Sequence, residues 1–152
     1  VDELNACLGL LVSNLPAKET GLIREIREIQ SILFDVGALL SSSAGSPLLR
    51  SLRHIREEDI RALERNIDQM EEGLPPLTGF ILPGGHPCSS LAHVSRAVCR
   101  RAERRAAALA GEGKEDVGSV LVYLNRLSDY LFVLARHLNR VMGVPDIPWK
   151  RP

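Results

Sequence analysis

The chain has 152 residues, 19 basic and 19 acidic, and a formal net charge of zero, so no global field draws it to nucleic acid or to a membrane surface. One domain over 1–152 is the natural expectation at this length, which suffices to bury roughly 68–70% of the unfolded chain's surface. Cys7, Cys88 and Cys99 are odd in number and lack metal-ligand spacing, and no run approaches 18 apolar residues, which together predict reduced thiols in a cytoplasmic protein outside any membrane.

The sequence opens without Met inside a helical pattern, with Leu4, Leu8, Leu11 and Leu15 in register, so an upstream segment is expected to have been cut off. Pro16 ends this first helix. Leu22, Ile26, Ile29, Leu33, Val36 and Leu40 then repeat at 4-3-4-3-4, the seam of a long helix packed nearly parallel to others. Residues 41–47 are a loop by composition. A third helix follows, with Glu57, Glu58 and Asp59 early, where the helix dipole favours acids, and a stripe of Ile60, Leu63, Ile67 and Met70 closed by Gly73.

Residues 73–87 hold four prolines and four glycines and cannot be helical. The same stretch carries Leu77, Phe80, Ile81 and Leu82, too apolar for an idle connector. Phe80 either plugs the end of the core or presents an apolar face for function. Pro87 suits the first residue of a fourth helix, which is expected to end near Gly111 and Gly113.

That fourth helix contains five of the sixteen arginines within His93–Arg105, with Glu103 as the only acid. At 3.6 residues per turn His93, Arg96, Arg100 and Glu103 share one face, while Leu91, Val98, Ala102, Ala106 and Leu109 form an apolar one and Arg101 and Arg105 point a third way. Arg96 and Arg100 are like charges at i and i+4, a pairing that costs about 0.2–0.5 kcal/mol unless an anion compensates it. Neighbouring carboxylates could do so, and so could phosphate, whose oxygens match the guanidinium fork. The last helix repeats Val120, Leu124, Leu127, Leu131, Leu134, Leu138 and Val141, with Asn125 and Asp129 one turn apart on another face, and ends at Gly143 and Pro145 before an extended tail. Five helices without strand-like alternation give an all-α bundle.

The chemistry such a bundle could run is narrowed by elimination. No Glu is followed three residues later by His, as a di-iron bundle needs, and no zinc spacing or phosphate-binding P-loop occurs. His54, His86, His93 and His137 are scattered and suit structural or surface roles. What remains is an anion site built from Arg96, Arg100 and Asn125 beside an apolar loop.

Four blocks then become recognisable: Phe80-Ile-Leu-Pro-Gly-Gly85, Ser90-Leu-Ala-His-Val-Ser-Arg96, Arg100-Arg-Ala-Glu-Arg104 and Asn125-Arg-Leu-Ser-Asp-Tyr-Leu-Phe132. In this order and spacing they closely resemble the PduO-type ATP:cob(I)alamin adenosyltransferases, and Val1-Asp-Glu-Leu-Asn5 is similar to the start of that family's first helix. The resemblance implies a ferritin-like five-helix bundle assembling as a homotrimer with active sites between subunits, which transfers the 5′-deoxyadenosyl group of ATP to the cobalt of a corrinoid and releases triphosphate. It also implies the roles of individual residues. Arg100 would grip the triphosphate, Asn125 would place the nucleotide, and Glu103 would orient arginines including Arg104. Arg96 would pair with Asp2 of the adjacent subunit, Phe80 would cover the lower face of the corrin ring, and Mg²⁺ would accompany ATP. The family carries upstream of this helix a Thr-x-x-Gly-Asp-x-Gly segment that wraps the phosphates and is absent from this sequence. That absence gives the alternative its support: a corrinoid- or nucleotide-binding bundle without turnover.

Overall fold

The computed structural model of the protein describes residues 1–43, 46–47, 51–109 and 117–150. In chain order its elements are α1 (Asp2–Asn14), α2 (Thr20–Ser41), α3 (Glu57–Glu71), β1 (Ile81–Leu82), α4 (Pro87–Leu109), α5 (Val117–Val141) and β2 (Ile147–Pro148). The expected helix end near Gly111 and Gly113 and part of the 41–47 loop lie outside the described residues.

α5 is the spine. Its Val120, Leu124, Leu127, Leu131, Leu134 and Leu138 are all but inaccessible, and α4 and α3 pack against it. α1 packs on both α4 and α2, burying Leu4, Leu8 and Leu11 against the Ile26, Ile29, Leu33 and Val36 seam. Reciprocal amide bonds fix the α1–α2 crossing: Asn5 Nδ2 donates to the Gln30 carbonyl at 3.1 Å and Gln30 Nε2 to the Asn5 carbonyl at 3.0 Å. One 18-residue window of α5 reaches a mean hydropathy of 1.2, enough by length and composition for a membrane span, which amends the expectation that no stretch comes close. Its apolar seam is nonetheless spent on the bundle interior.

Three details of the expected pattern differ. Val141 continues the leucine spacing but is 41% exposed, as the final residue of α5. Gly73 lacks the left-handed conformation of a helix-closing glycine; a side chain there would meet Arg140 Nη1 at 2.5 Å, so it makes room rather than a cap. The buried face of α4 is also not the aliphatic one expected. It consists of Cys88, Ser89, Ala92, His93, Ser95, Val98, Cys99 and Ala106, mostly small residues that let α4 lie close to its neighbours.

Pro87 does open α4, and His86 caps it, its Nδ1 accepting the Cys88 N–H at 3.2 Å. The loop before it is not strand-free. Ile81 pairs with Pro148 and Leu82 with Ile147 in an antiparallel ladder between partners 65 or more residues apart, which no local periodicity could reveal. Gly85 makes the turn into α4 at φ +106, and a Cβ there would stand 2.3 Å from Asn139 Oδ1. Gly85→Ala is therefore expected to cost about 1–3 kcal/mol, read as a lower urea midpoint at unchanged slope. A parental midpoint would mean that the loop yields without cost.

Candidate active site

The arginine face of α4 meets α5 and α3 in a cleft of about 380 Å³, lined by Ile67 and Glu71 of α3, Arg96 and Arg100 of α4, and Arg126, Ser128, Asp129, Phe132 and Val133 of α5. Arg96 is half-buried and its Nε has no hydrogen-bond partner. Arg100 is exposed, with Nη1 3.8 Å from Glu103 Oε2, a distance that leaves the guanidinium fork open. Glu103 is the hinge of the group, since its other oxygen accepts Asn125 Nδ2 at 3.0 Å across the α4–α5 seam. Arg126 is paired with two carboxylates: its Nη1 donates to Asp129 at 3.0 Å, and Glu64 lies 3.1 Å from its Nε without making a hydrogen bond. Arg96, Arg100, Glu103 and Asn125 thus come together as the sequence predicts. Arg104 lies next to them on the exposed side of α4.

Asp2 lies elsewhere in the chain. It is exposed at the start of α1 and lines a separate cavity of about 540 Å³ with Arg101 and Arg105, where Arg101 pairs with Glu3. Phe80 is 80% exposed, so it does not plug the core. Its ring stands edge-to-face on Trp149 at 6.2 Å, and its carbonyl accepts the Trp149 N–H at 2.8 Å. Leu82, Ile147 and Trp149 are exposed beside it, giving an apolar face on the two-strand ladder.

Sequence reasoning missed what lies between cleft and aromatic face. His93, expected beside the arginines, is 5% exposed and edge-to-face with Phe132 at 6.2 Å, its Nδ1 unpartnered. Also missed were Arg136, Asn139 and Asp146, which tie the Phe80 loop to α5. Arg136 and Asn139 are buried polar residues one turn apart in a leucine-rich helix, and no sequence signal marks them as buried. Among the described residues no three His, Cys, Asp or Glu side chains could hold a metal ion. Cys7, Cys88 and Cys99 are free, and burial pushes the Cys99 thiol up to about 12, which leaves it inert.

Fold and site together define a five-helix bundle with an open arginine cleft and a neighbouring exposed aromatic face. The cobalamin adenosyltransferase family matches residues 1–138, and the chain belongs to that family. It is 42% identical over 152 residues to the corrinoid adenosyltransferase MMAB of Bos taurus, covering 99% of this chain and 63% of that protein. To the corrinoid adenosyltransferase of Bacillus subtilis (strain 168) it is 40% identical over 153 residues, covering 99% and 77%. The chain thus spans less than two thirds of its bovine relative. Among solved structures it is similar to a phenylalanine-to-alanine variant of the PduO-type ATP:corrinoid adenosyltransferase from Lactobacillus reuteri complexed with cobalamin and ATP. The TM-score is 0.89 and the identity 35%, covering 99% of this chain and 82% of that one. An arginine-to-lysine variant of the same enzyme complexed with ATP gives 0.88 and 36%, covering 98% and 82%.

His93 links this region to pH. Burial first, and then the Arg96 guanidinium, push its pKa below the ordinary 6.5, with Asp146 pulling the other way. The unfolded chain takes up the proton at the ordinary value and the folded chain only below it, so stability is full above 6.5 and falls as pH drops through that value. The urea midpoint is expected to decline from pH 7 to pH 5, and His93→Gln to flatten that decline. An unchanged slope in the variant would remove His93 from the linkage.

Proposed function

We propose that the protein transfers the 5′-deoxyadenosyl group of ATP to the cobalt of cob(I)alamin or a related corrinoid. The observation that carries this reading is the open Arg96–Arg100 cleft, whose like charges lie on one helix face with Glu103 too distant to close the fork. Family membership and the cobalamin and ATP bound in the Lactobacillus reuteri structure support it.

The chemistry asks little of the protein beyond placement. Co(I) is itself the nucleophile: its electron pair forms the Co–C5′ bond as the C5′–O5′ bond breaks and triphosphate departs. No general base is required. What accelerates such a step is alignment of C5′ over cobalt and stabilisation of the departing polyanion. Arg100 would take the triphosphate oxygens, with Arg96 deepening the positive field. Asn125, held by Glu103, would orient the nucleotide. Mg²⁺ would arrive on the triphosphate and offset part of its charge. Phe80 would lie against the lower corrin face, keeping water and the corrinoid's own base from cobalt and so making Co(II) easier to reduce.

Assembly completes the site in this reading. A homotrimer would bring the exposed Asp2 of one subunit to the half-buried Arg96 of the next. A reducing, cytoplasmic setting suits both Co(I) and three free thiols.

Two variants test the reading in an anaerobic assay for adenosylcorrinoid and triphosphate. Arg100→Lys keeps the charge and loses the fork; turnover is expected to fall by roughly 10²-fold or more with the melting temperature unchanged. Parental turnover would remove Arg100 as phosphate clamp, and corrinoid binding without any product would favour the non-catalytic binding module. Phe80→Ala is expected to cost far less than the roughly 3–5 kcal/mol of a buried Phe truncation, with a rate defect larger from Co(II) than from Co(I). Equal defects from both cobalt states would take Phe80 out of the mechanism.

A further inference from the structure

The Phe80 loop and the Trp149 tail leave the bundle at different points and meet in a ladder only two residues long. Such a pair cannot hold its own shape in water. What holds it lies underneath, on the last turns of α5. Arg136 is 5% exposed; its Nη2 donates to the Pro75 carbonyl at 2.7 Å and its Nε to Asp146 Oδ2 at 3.0 Å. Asn139 is 2% exposed; its Nδ2 donates to the Gly84 carbonyl at 3.0 Å and to Asp146 Oδ1 at 3.2 Å, and its Oδ1 accepts the His86 N–H at 2.9 Å.

Two side chains one turn apart therefore hold both ends of the Phe80 loop, at Pro75 and at Gly84–His86, and each also holds one oxygen of the tail's Asp146. The carboxylate is shared between them, so loop and tail cannot move independently. Nothing in the core demands this arrangement. Leu134 and Leu138 already fill the interior at this level, and a buried guanidinium with its carboxylate is a poor source of stability compared with apolar packing. Its effect is positional: it sets where the Phe80 and Trp149 rings stand relative to α4 and α5, the helices that carry the arginine cleft.

We propose that Arg136, Asn139 and Asp146 are positioning residues that set the height and tilt of a two-ring face, Phe80 with Trp149, against the corrinoid. Trp149 is then a second corrin-contacting side chain. The inference rests on the adenosyltransferase reading above. A displacement of about 1 Å in such a face can cost as much as 10²-fold in rate.

Trp149 is the chain's only tryptophan, so its fluorescence reports on the face without any turnover. In Asp146→Asn the emission is expected to move to the red and acrylamide quenching to rise while ATP affinity stays parental; the melting temperature falls, because the buried Arg136 loses its counter-charge. Turnover from Co(II) should fall about tenfold, and from preformed Co(I) much less. Because the node acts through Phe80, adding Asp146→Asn to Phe80→Ala should cost little further, whereas independent sites would multiply their losses. Parental fluorescence in Asp146→Asn, or fully multiplicative losses in the cycle, would overturn the proposal. If Asp146→Asn does not fold, Trp149→Ala decides: it removes an exposed ring, and a Co(II)-selective defect at parental stability is expected, with parental rates overturning Trp149's role. A parent protein that makes no adenosylcorrinoid would instead overturn the enzymatic reading. The positional claim would then be judged by whether cob(II)alamin quenches Trp149 in the parent and fails to do so in Asp146→Asn.

Discussion

The close approach of α4 to α5 is the constraint on which the rest of the structure depends. It is possible because α4 turns alanine, serine and cysteine inward where leucine would hold the helices apart. Cys99 reflects the intimacy, its thiol donating to the Leu124 carbonyl of α5 at 3.2 Å. With the axes drawn together, polar side chains on the rims of two helices reach each other. Glu103 and Asn125 bond across the seam, and Arg96 and Arg100 share a cleft with Asp129 and Phe132. A wider interface of larger residues would leave the same side chains as two unrelated polar stripes.

The site divides into parts with different mechanical character. The arginine cleft stands on helix interiors, where side-chain positions follow from core packing. The aromatic face stands on a loop and a tail, where nothing local fixes the backbone and a buried polar node must do so. This division matches the two ligands proposed above. A triphosphate would tolerate some play in flexible guanidinium arms, whereas an apolar face presented to a rigid macrocycle would not. The electrostatics are equally local. The chain is neutral overall, so the positive cleft is not the summit of a protein-wide basic surface and draws its selectivity from short-range geometry.

Much of this was legible in the sequence, for reasons that differ by element. The leucine seams of α1, α2 and α5 announce themselves because aliphatic burial at helical period is what hydrophobicity records. The inner face of α4 does not, since Ser89, His93, Ser95 and the cysteines are small or polar and look like surface. The arginine cluster was legible as a charge anomaly with Glu103 on the same helix face, and Asn125 was joined to it by elimination, while the individual roles followed from the family resemblance. Phe80 stayed ambiguous until its 80% exposure excluded a core role. The ladder and its node were illegible for a topological reason: they join residues from Pro75 to Trp149, and a buried Arg136 reads in sequence like any arginine on an amphipathic helix.

α5 carries residues for both parts, Asn125 toward the cleft and Arg136 toward the aromatic face, eleven residues apart on one unbroken helix. At 1.5 Å per residue that interval is about 16 Å, which makes the helix a ruler between the arginine cleft and the aromatic face. A ruler of this kind is graduated in angle as well as length. Inserting or deleting a single residue between the two marks would shift the spacing by about 1.5 Å and rotate one half-site by about 100° relative to the other. The stretch from Asn125 to Arg136 is thus closed to changes in length, while substitutions on its solvent side leave the graduation intact.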